Sequence, residues 1–253
     1  MSPRPEDAWL HRPEPQPDPP MRLICLPFAG GMAQSFHPWA GPLSTVAELC
    51  AVALPGRGTR VQEPSIDRID RLTTFVSAAV RGLLDRPYAL FGHSMGALLA
   101  YELARELDRA GAPAPLRLFV SGFRAPHLPA RGDPLHVLPD DELTARLDEF
   151  GGTPPKVMES NAFMGLFLPP TRADLAACET YEHVPGPALA TPITAFGGRA
   201  DRLVSEDELR AWEQHTSGAF MLRLFEGGHF YLRDREAEFV EVLGCSLEDE
   251  LVR

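Results

Sequence analysis

The sequence predicts an α/β fold with a mostly parallel central sheet, helices on both faces and an inserted helical lid. Three observations predict it. Short apolar runs alternate with segments whose apolar residues recur at helical spacing, before residue 127 and again after residue 192. One apolar run passes through Gly92-His93-Ser94-Met95-Gly96 straight into such a helix. Between the two alternating regions, residues 127–187 carry helical patterning and no clear strand.

This divides the chain into a core, residues 21–126 and 188–247, with a lid insertion at 127–187. A length of 253 residues suits one domain with an insertion, or two small domains. Residues 1–20 carry prolines at 3, 5, 13, 15, 17, 19 and 20, which exclude a helix or a central strand and predict a disordered tail. Trp9 and Leu10 are its two residues able to dock. The formal charge of -11 argues against a nucleic-acid surface. Cys25, Cys50, Cys178 and Cys245 lack the close pairing of a zinc site, so no metal is expected, and Cys25 and Cys50 read as buried hydrophobes. The Pro-rich head has no apolar signal-peptide core, and no apolar run reaches membrane-spanning length. The expectation is a cytoplasmic monomer with free thiols.

In order, residues 22–27 form the first core strand, followed by Phe28, Ala29, Gly30 and Gly31 in a loop whose backbone N–H groups can face inward. Phe36, Trp39 and Leu43 line a short helix that Pro42 limits. Residues 49–54 are the next strand, ended by Pro55-Gly-Arg-Gly-Thr-Arg60. Arg57 and Arg60 there could meet a phosphate, an acidic surface or only solvent. Residues 68–84 form a helix with Leu72, Phe75, Val76, Ala79 and Leu83 on one side. The run from Tyr88 feeds the Gly-x-Ser-x-Gly turn. A helix over 95–110 follows, with Met95, Leu99, Leu103 and Leu107 every four residues and Gly111 as its stop. Residues 116–121 form a strand that ends in Gly122-Phe-Arg-Ala-Pro126.

Within the insertion, residues 140–150 read as a helix. A second helical stretch carries Met158, Phe163 and Phe167 and is broken at Pro169-Pro170, and a third runs over 172–181. The apolar middle suits a lid over an acyl chamber, although cap helices must bury an apolar face in any case. Phe28, Met158, Phe163 and Phe167 are the candidate substrate contacts. Residues 193–197 resume the sheet, and a capping box of Ser205 and Glu208 opens a helix over 205–215. Residues 220–225 are the last strand. Glu226-Gly-Gly-His229 turns off it into a final helix, with a frayed, charged end at 248–253.

Ser94, Asp201 and His229 occur in the order nucleophile, acid, histidine, each where a predicted strand gives way to a loop. With the strand–Gly-x-Ser-x-Gly–helix turn, that order is the signature of an α/β-hydrolase fold. A parallel sheet gathers such strand ends on one edge, so residues far apart in sequence can meet. His229 would take the proton of Ser94 and Asp201 would hold the imidazole tautomer. The backbone N–H groups of Ala29 and Met95 would form the oxyanion hole. His93 adjoins the serine, and adjacent side chains in such a turn point apart. His37, His127, His136, His183 and His215 lack a Gly-framed position after a core strand. Asp174 and Asp207 are helical by pattern and read as surface or packing residues.

At these residues the chain resembles the type II thioesterases of polyketide synthase and nonribosomal peptide synthetase pathways. The resemblance covers most of residues 21–245. It is carried by Leu26-Pro-Phe-Ala-Gly-Gly31, Leu54-Pro-Gly-Arg-Gly-Thr-Arg60, Phe91-Gly-His-Ser-Met-Gly96, Ser121-Gly-Phe-Arg-Ala-Pro126, Phe150-Gly-Gly-Thr-Pro154, Arg172-Ala-Asp174 with Glu179-Thr-Tyr181, Gly197-Gly-Arg-Ala-Asp201 and Gly227-Gly-His229. It implies hydrolysis of acyl thioesters on the phosphopantetheine arm of acyl or peptidyl carrier proteins, with no cofactor of the enzyme's own. Carrier proteins are generally acidic, so Arg57, Arg60 and Arg124 would serve in docking. The chain departs from the family pattern in its long Pro-rich head and in Phe167-Leu-Pro-Pro-Thr171, where relatives tend to carry bulkier apolar residues. A carboxylester hydrolase needs the same three residues, and a discrete chain-releasing thioesterase is a neighbouring alternative. A binding protein with an unused hydrolase fold is the non-enzymatic one.

Overall fold

The computed structural model describes residues 9–151 and 160–252. Its strands are β1 (Leu10–His11), β2 (Arg22–Leu26), β3 (Glu48–Val52), β4 (Tyr88–His93), β5 (Leu118–Ser121), β6 (Ile193–Gly198) and β7 (Phe220–Phe225). They form one sheet in the order β1-β3-β2-β4-β5-β6-β7. β1 is antiparallel to β3 and every other pairing is parallel. Strands β2 to β6 are buried at every residue, as a parallel sheet covered on both faces requires. β7 lies at the edge; its first five residues alternate between partly covered and exposed, and Phe225 at its end is buried.

The helices are α1 (Ala40–Leu43), α2 (Ile69–Val80), α3 (Met95–Arg109), α4 (Asp140–Phe150), α5 (Asn161–Glu179), α6 (Glu206–Arg210), α7 (Tyr231–Asp234) and α8 (Glu236–Val252). Leu72, Val76 and Val80 of α2 and Leu99, Leu103 and Leu107 of α3 share one core with Ile24, Leu90 and Val120 of the sheet. The opposite face holds an aromatic core of Trp39, Phe91, Phe119, Phe196 and Phe239. Cutting one such ring back to alanine costs about 3–5 kcal/mol. Leu143 and Leu147 of α4 pack on Met164 and Leu168 of α5 in a small separate cluster, so the insertion carries its own apolar centre.

Three expectations change. The segment read as a disordered tail is ordered over its described part. Leu10 and His11 pair with Val52 and Ala51, and Trp9 stacks on Phe75 with ring centroids 5.6 Å apart. Prolines exclude a helix or a central strand there, but a two-residue edge strand needs only Leu10 and His11 free of them. Second, Pro169-Pro170 does not break the second stretch from the third: α5 runs through both prolines. The two lost ladder bonds would have ended on the carbonyls of Gly165 and Leu166, residues exposed to water, while Met164 and Leu168 hold the helix down. Third, the charged C-terminal segment is helical to Val252, because Leu247 is buried and Glu250 forms an ion pair with Arg117 at 2.5 Å.

Candidate active site

The turn from β4 to α3 places Ser94. Its φ of 53° and ψ of -122° make it the one non-glycine residue with positive φ among those described. Such a conformation costs about 1–3 kcal/mol and persists only where its surroundings dictate it. Here the Ser94 N–H donates to the Ser121 carbonyl at 2.7 Å, and the Ala97 N–H donates to the Ser94 carbonyl at 2.9 Å. The two framing glycines are steric necessities. A Cβ on Gly92 would lie 1.9 Å from the Gly96 carbonyl oxygen, and one on Gly96 would lie 2.1 Å from that of Leu26.

Asp201 follows β6 in a turn closed by its own N–H to the Gly198 carbonyl at 3.1 Å. Its Oδ1 accepts from the N–H groups of Leu203 at 2.8 Å and Val204 at 3.3 Å. Its Oδ2 lies 2.8 Å from His229 Nδ1, and the two side chains are 1% and 7% exposed. With Nδ1–H donated to the carboxylate, Nε2 carries the lone pair and can accept a proton.

His93 lies beside this pair with its ring centroid 5.0 Å from that of His229. It is fully buried, with Nδ1 2.9 Å from Ser121 Oγ, which in turn is 2.6 Å from the Tyr231 hydroxyl. Burial, then repulsion from His229, hold its pKa well below the usual histidine value, so it stays neutral. It packs against the His229 ring and borders the outer cleft that Phe163 also lines.

Ser94, His229, Ala29 and Met95 line one cavity of about 190 Å³, whose apolar side includes Phe28 and Phe167. The two phenylalanines also line a second cleft of about 740 Å³, together with His93 and Phe163. The candidate substrate contacts therefore separate. Phe28 and Phe167 stand between the two spaces, while Phe163 is 59% exposed and belongs to the outer cleft. Met158 lies outside the described residues.

The arginines expected at a docking surface are placed otherwise. Arg57 is buried and forms a bidentate ion pair with Asp174 of α5. Arg60 is buried too. Its guanidinium bonds Glu63 and the Ala53 carbonyl and lies 3.8 Å from the ring centre of Trp9. Arg57 is inside because it meets the buried carboxylate of Asp174, and Arg60 because the Ala53 carbonyl and the Trp9 ring hold it while Glu63 pairs with it from the surface; periodicity in the sequence does not reveal these partners. Arg124 is half-buried in the wall of the Ser94 cavity, where burial lowers its pKa and its Nε donates to the Leu128 carbonyl at 3.2 Å. Asp174, read as a surface or packing residue, is 1% exposed. It follows Phe167 by seven residues and Thr171 by three, so a helix puts it on their face. An acid on a buried stripe is the signal that could have found it.

A strained Gly-x-Ser-x-Gly turn on a mostly parallel sheet, with an Asp–His pair in the loops after β6 and β7, is the arrangement of the α/β-hydrolase fold. Within that class the chain belongs to the thioesterase domain family, which matches residues 21–246. It is 35% identical over 223 residues to the gramicidin S biosynthesis protein GrsT of Aneurinibacillus migulanus, covering 88% of this chain and 87% of that one. It is 38% identical over 228 residues to the thioesterase PikA5 of Streptomyces venezuelae, covering 90% and 81%. Among solved structures, the type II thioesterase BorB of the borrelidin biosynthetic cluster superposes with a TM-score of 0.88 at 40% identity, covering 95% of this chain and 98% of that one. Among the described residues no helix is long and apolar enough to cross a membrane.

Proposed function

We propose that the protein removes short acyl groups from the phosphopantetheine arm of acyl or peptidyl carrier proteins through an acyl-serine intermediate. The observation that carries the chemistry is the buried Asp201–His229 hydrogen bond opening on the same cavity as the strained Ser94. In the proposed reaction, Ser94 Oγ attacks the thioester carbonyl carbon as His229 Nε2 takes its proton. The N–H groups of Ala29 and Met95 hold the oxyanion, Met95 from the N-terminus of α3. Collapse expels the pantetheine sulfur, which leaves with the proton from His229. Water then attacks the acyl-serine, giving its proton to His229, and Ser94 departs as the alcohol with that proton. The reaction uses no cofactor, since the phosphopantetheine arrives as part of the substrate.

Carrier-bound substrates are supported by the similar solved structures ClbQ and YbtT, which come from the colibactin and yersiniabactin NRPS/PKS pathways. Editing rather than release of a finished chain is supported by the size of the Ser94 cavity, about 190 Å³, which suits an acyl group of a few carbons. The test compares kcat/KM for one short acyl group on a phosphopantetheinylated carrier protein and as a simple oxygen ester, with Ser94→Ala as the blank. Strong preference for the carrier thioester, lost in the variant, is expected. Equal or better turnover of the ester would make the protein a general esterase.

A further inference from the structure

The loop after β2 and the lid helix α5 meet at one carboxylate. Asp174 Oδ2 accepts the Gly30 N–H at 2.8 Å, and the same carboxylate takes both Nη groups of Arg57, with Nη2 2.8 Å from Oδ1. Arg57 Nη1 also reaches the Gly31 carbonyl at 3.3 Å. Contact between helix and loop is direct: a Cβ on Gly30 would lie 2.5 Å from Thr171 Oγ1 and 2.8 Å from Phe167 Cε2.

Gly30 sits one peptide beyond Ala29. The Gly31 N–H donates to the Phe28 carbonyl at 2.7 Å, closing a turn in which Gly30 has a φ of +72°. In a trans peptide the N–H points opposite to the C=O. The bond to the Phe28 carbonyl therefore sets the peptide plane that carries the Ala29 N–H. The next plane, carrying the Gly30 N–H, is held by Asp174. Both planes flanking Ala29 are thus pinned, one within the loop and one by the lid.

We infer that Asp174 is a positioning residue: through the Gly30 N–H it aims the Ala29 N–H at the reacting carbonyl, and through Arg57 it makes that aim depend on the lid helix being seated. The inference rests on the proposed role of Ala29 in the oxyanion hole. With α5 seated, the hole is assembled; with α5 displaced, the Gly30 N–H loses its acceptor and Arg57 is left buried beside Gly31. Full oxyanion stabilisation is then confined to the closed state, in which the acyl group is enclosed.

The experiment uses the whole enzyme and a short acyl thioester of a small thiol, which needs no carrier docking. Asp174→Ala is compared with Asp174→Asn, whose amide oxygen still accepts the Gly30 N–H, and each is checked for fold by circular dichroism and melting temperature. Complete removal of one oxyanion donor lowers kcat roughly 10²–10³-fold, and misaiming one is expected to lower it roughly tenfold or more. Asp174→Ala should show that loss in kcat with KM within about twofold, and a boronic acid that forms a tetrahedral adduct on Ser94 should bind more weakly in proportion. Asp174→Asn, which keeps the Gly30 acceptor but not the bidentate pair with Arg57, should recover part of the kcat. If Asp174→Ala does not fold, Asp174→Asn and Arg57→Lys decide on the same measures. Asp174→Asn keeps an acceptor for Gly30 but, like Arg57→Lys, breaks the bidentate pair, so both must lose kcat and boronate affinity together with KM within about twofold. A folded Asp174→Ala with wild-type kcat, or losses confined to KM, would overturn the inference. Wild-type protein without thioesterase turnover would instead overturn the functional reading beneath it.

Discussion

His127 Nδ1 lies 2.7 Å from His215 Nε2, which joins the start of the lid segment to the turn that precedes β7. His183, near the end of that segment, sets its ring edge-on to His215 with centroids 5.3 Å apart. The Tyr101 hydroxyl lies 2.9 Å from His215 Nδ1 on the remaining side. Three imidazoles therefore converge where the lid segment leaves and rejoins the core.

Burial, then repulsion from His127 and His183, push the His215 pKa from 6.5 down to about 4. Between those values the unfolded chain binds a proton that the folded chain does not. The contribution of His215 to stability is therefore complete above about pH 6.5 and is lost as the pH drops toward 4. Melting temperatures at pH 7.5 and pH 5 should differ, and His215→Gln should reduce the difference. An unchanged pH dependence in the variant would remove His215 as its source.

Arg60 is a structural cation. Its partners are Glu63, the Ala53 carbonyl and the Trp9 ring, so it fastens the β1 segment to the loop after β3. Arg60→Ala should destabilise the fold by about 1–3 kcal/mol, read from denaturant midpoints, with KM for a carrier substrate unchanged. Unaltered stability with a raised carrier KM would return Arg60 to docking.

Phe167 stands between the Ser94 cavity of about 190 Å³ and the outer cleft of about 740 Å³. Phe167→Ala should join the two and shift selectivity toward longer acyl chains. The ratio of kcat/KM for an eight-carbon over a three-carbon thioester should rise about tenfold or more, since each buried methylene contributes about 0.8 kcal/mol. An unchanged ratio would place the wall elsewhere.

Glu250 and Arg117 are each 6% exposed and anchor the end of α8 beneath the sheet. Glu250→Ala leaves a buried guanidinium without its carboxylate. The expected loss is about 3–5 kcal/mol by chemical denaturation. A loss below about 1 kcal/mol would mean that the helix end frays despite this pair.

The elements most legible in the sequence are those whose cause is local. Gly92 and Gly96 flank Ser94 because the strand-to-helix turn leaves no room for a Cβ, a constraint written within five residues. Asp201 and His229 were legible because each follows an apolar run in a glycine-framed loop, and a parallel sheet brings such loops to one edge. The helices of the core followed from their apolar spacing.

The partners of the charged residues had no such local cause. Arg57 and Asp174 are 117 residues apart, and Arg117 and Glu250 are 133 apart. Spacing indicates which face of a helix is buried but not what lies against it, so a buried acid on α5 and a basic loop after β3 could not be matched in advance. The continuity of α5 through Pro169 and Pro170 has a similar origin, since packing of Met164 and Leu168 outweighs the local penalty. By itself the sequence determined the α/β-hydrolase core, the elbow and the candidates Ser94, Asp201 and His229, because these depend on short-range sterics and strand order. Only the tertiary structure decided which arginines are buried, which phenylalanines divide the cavities and how the lid is tied to the loop at Ala29. Those depend on which distant surfaces approach within hydrogen-bonding and van der Waals range.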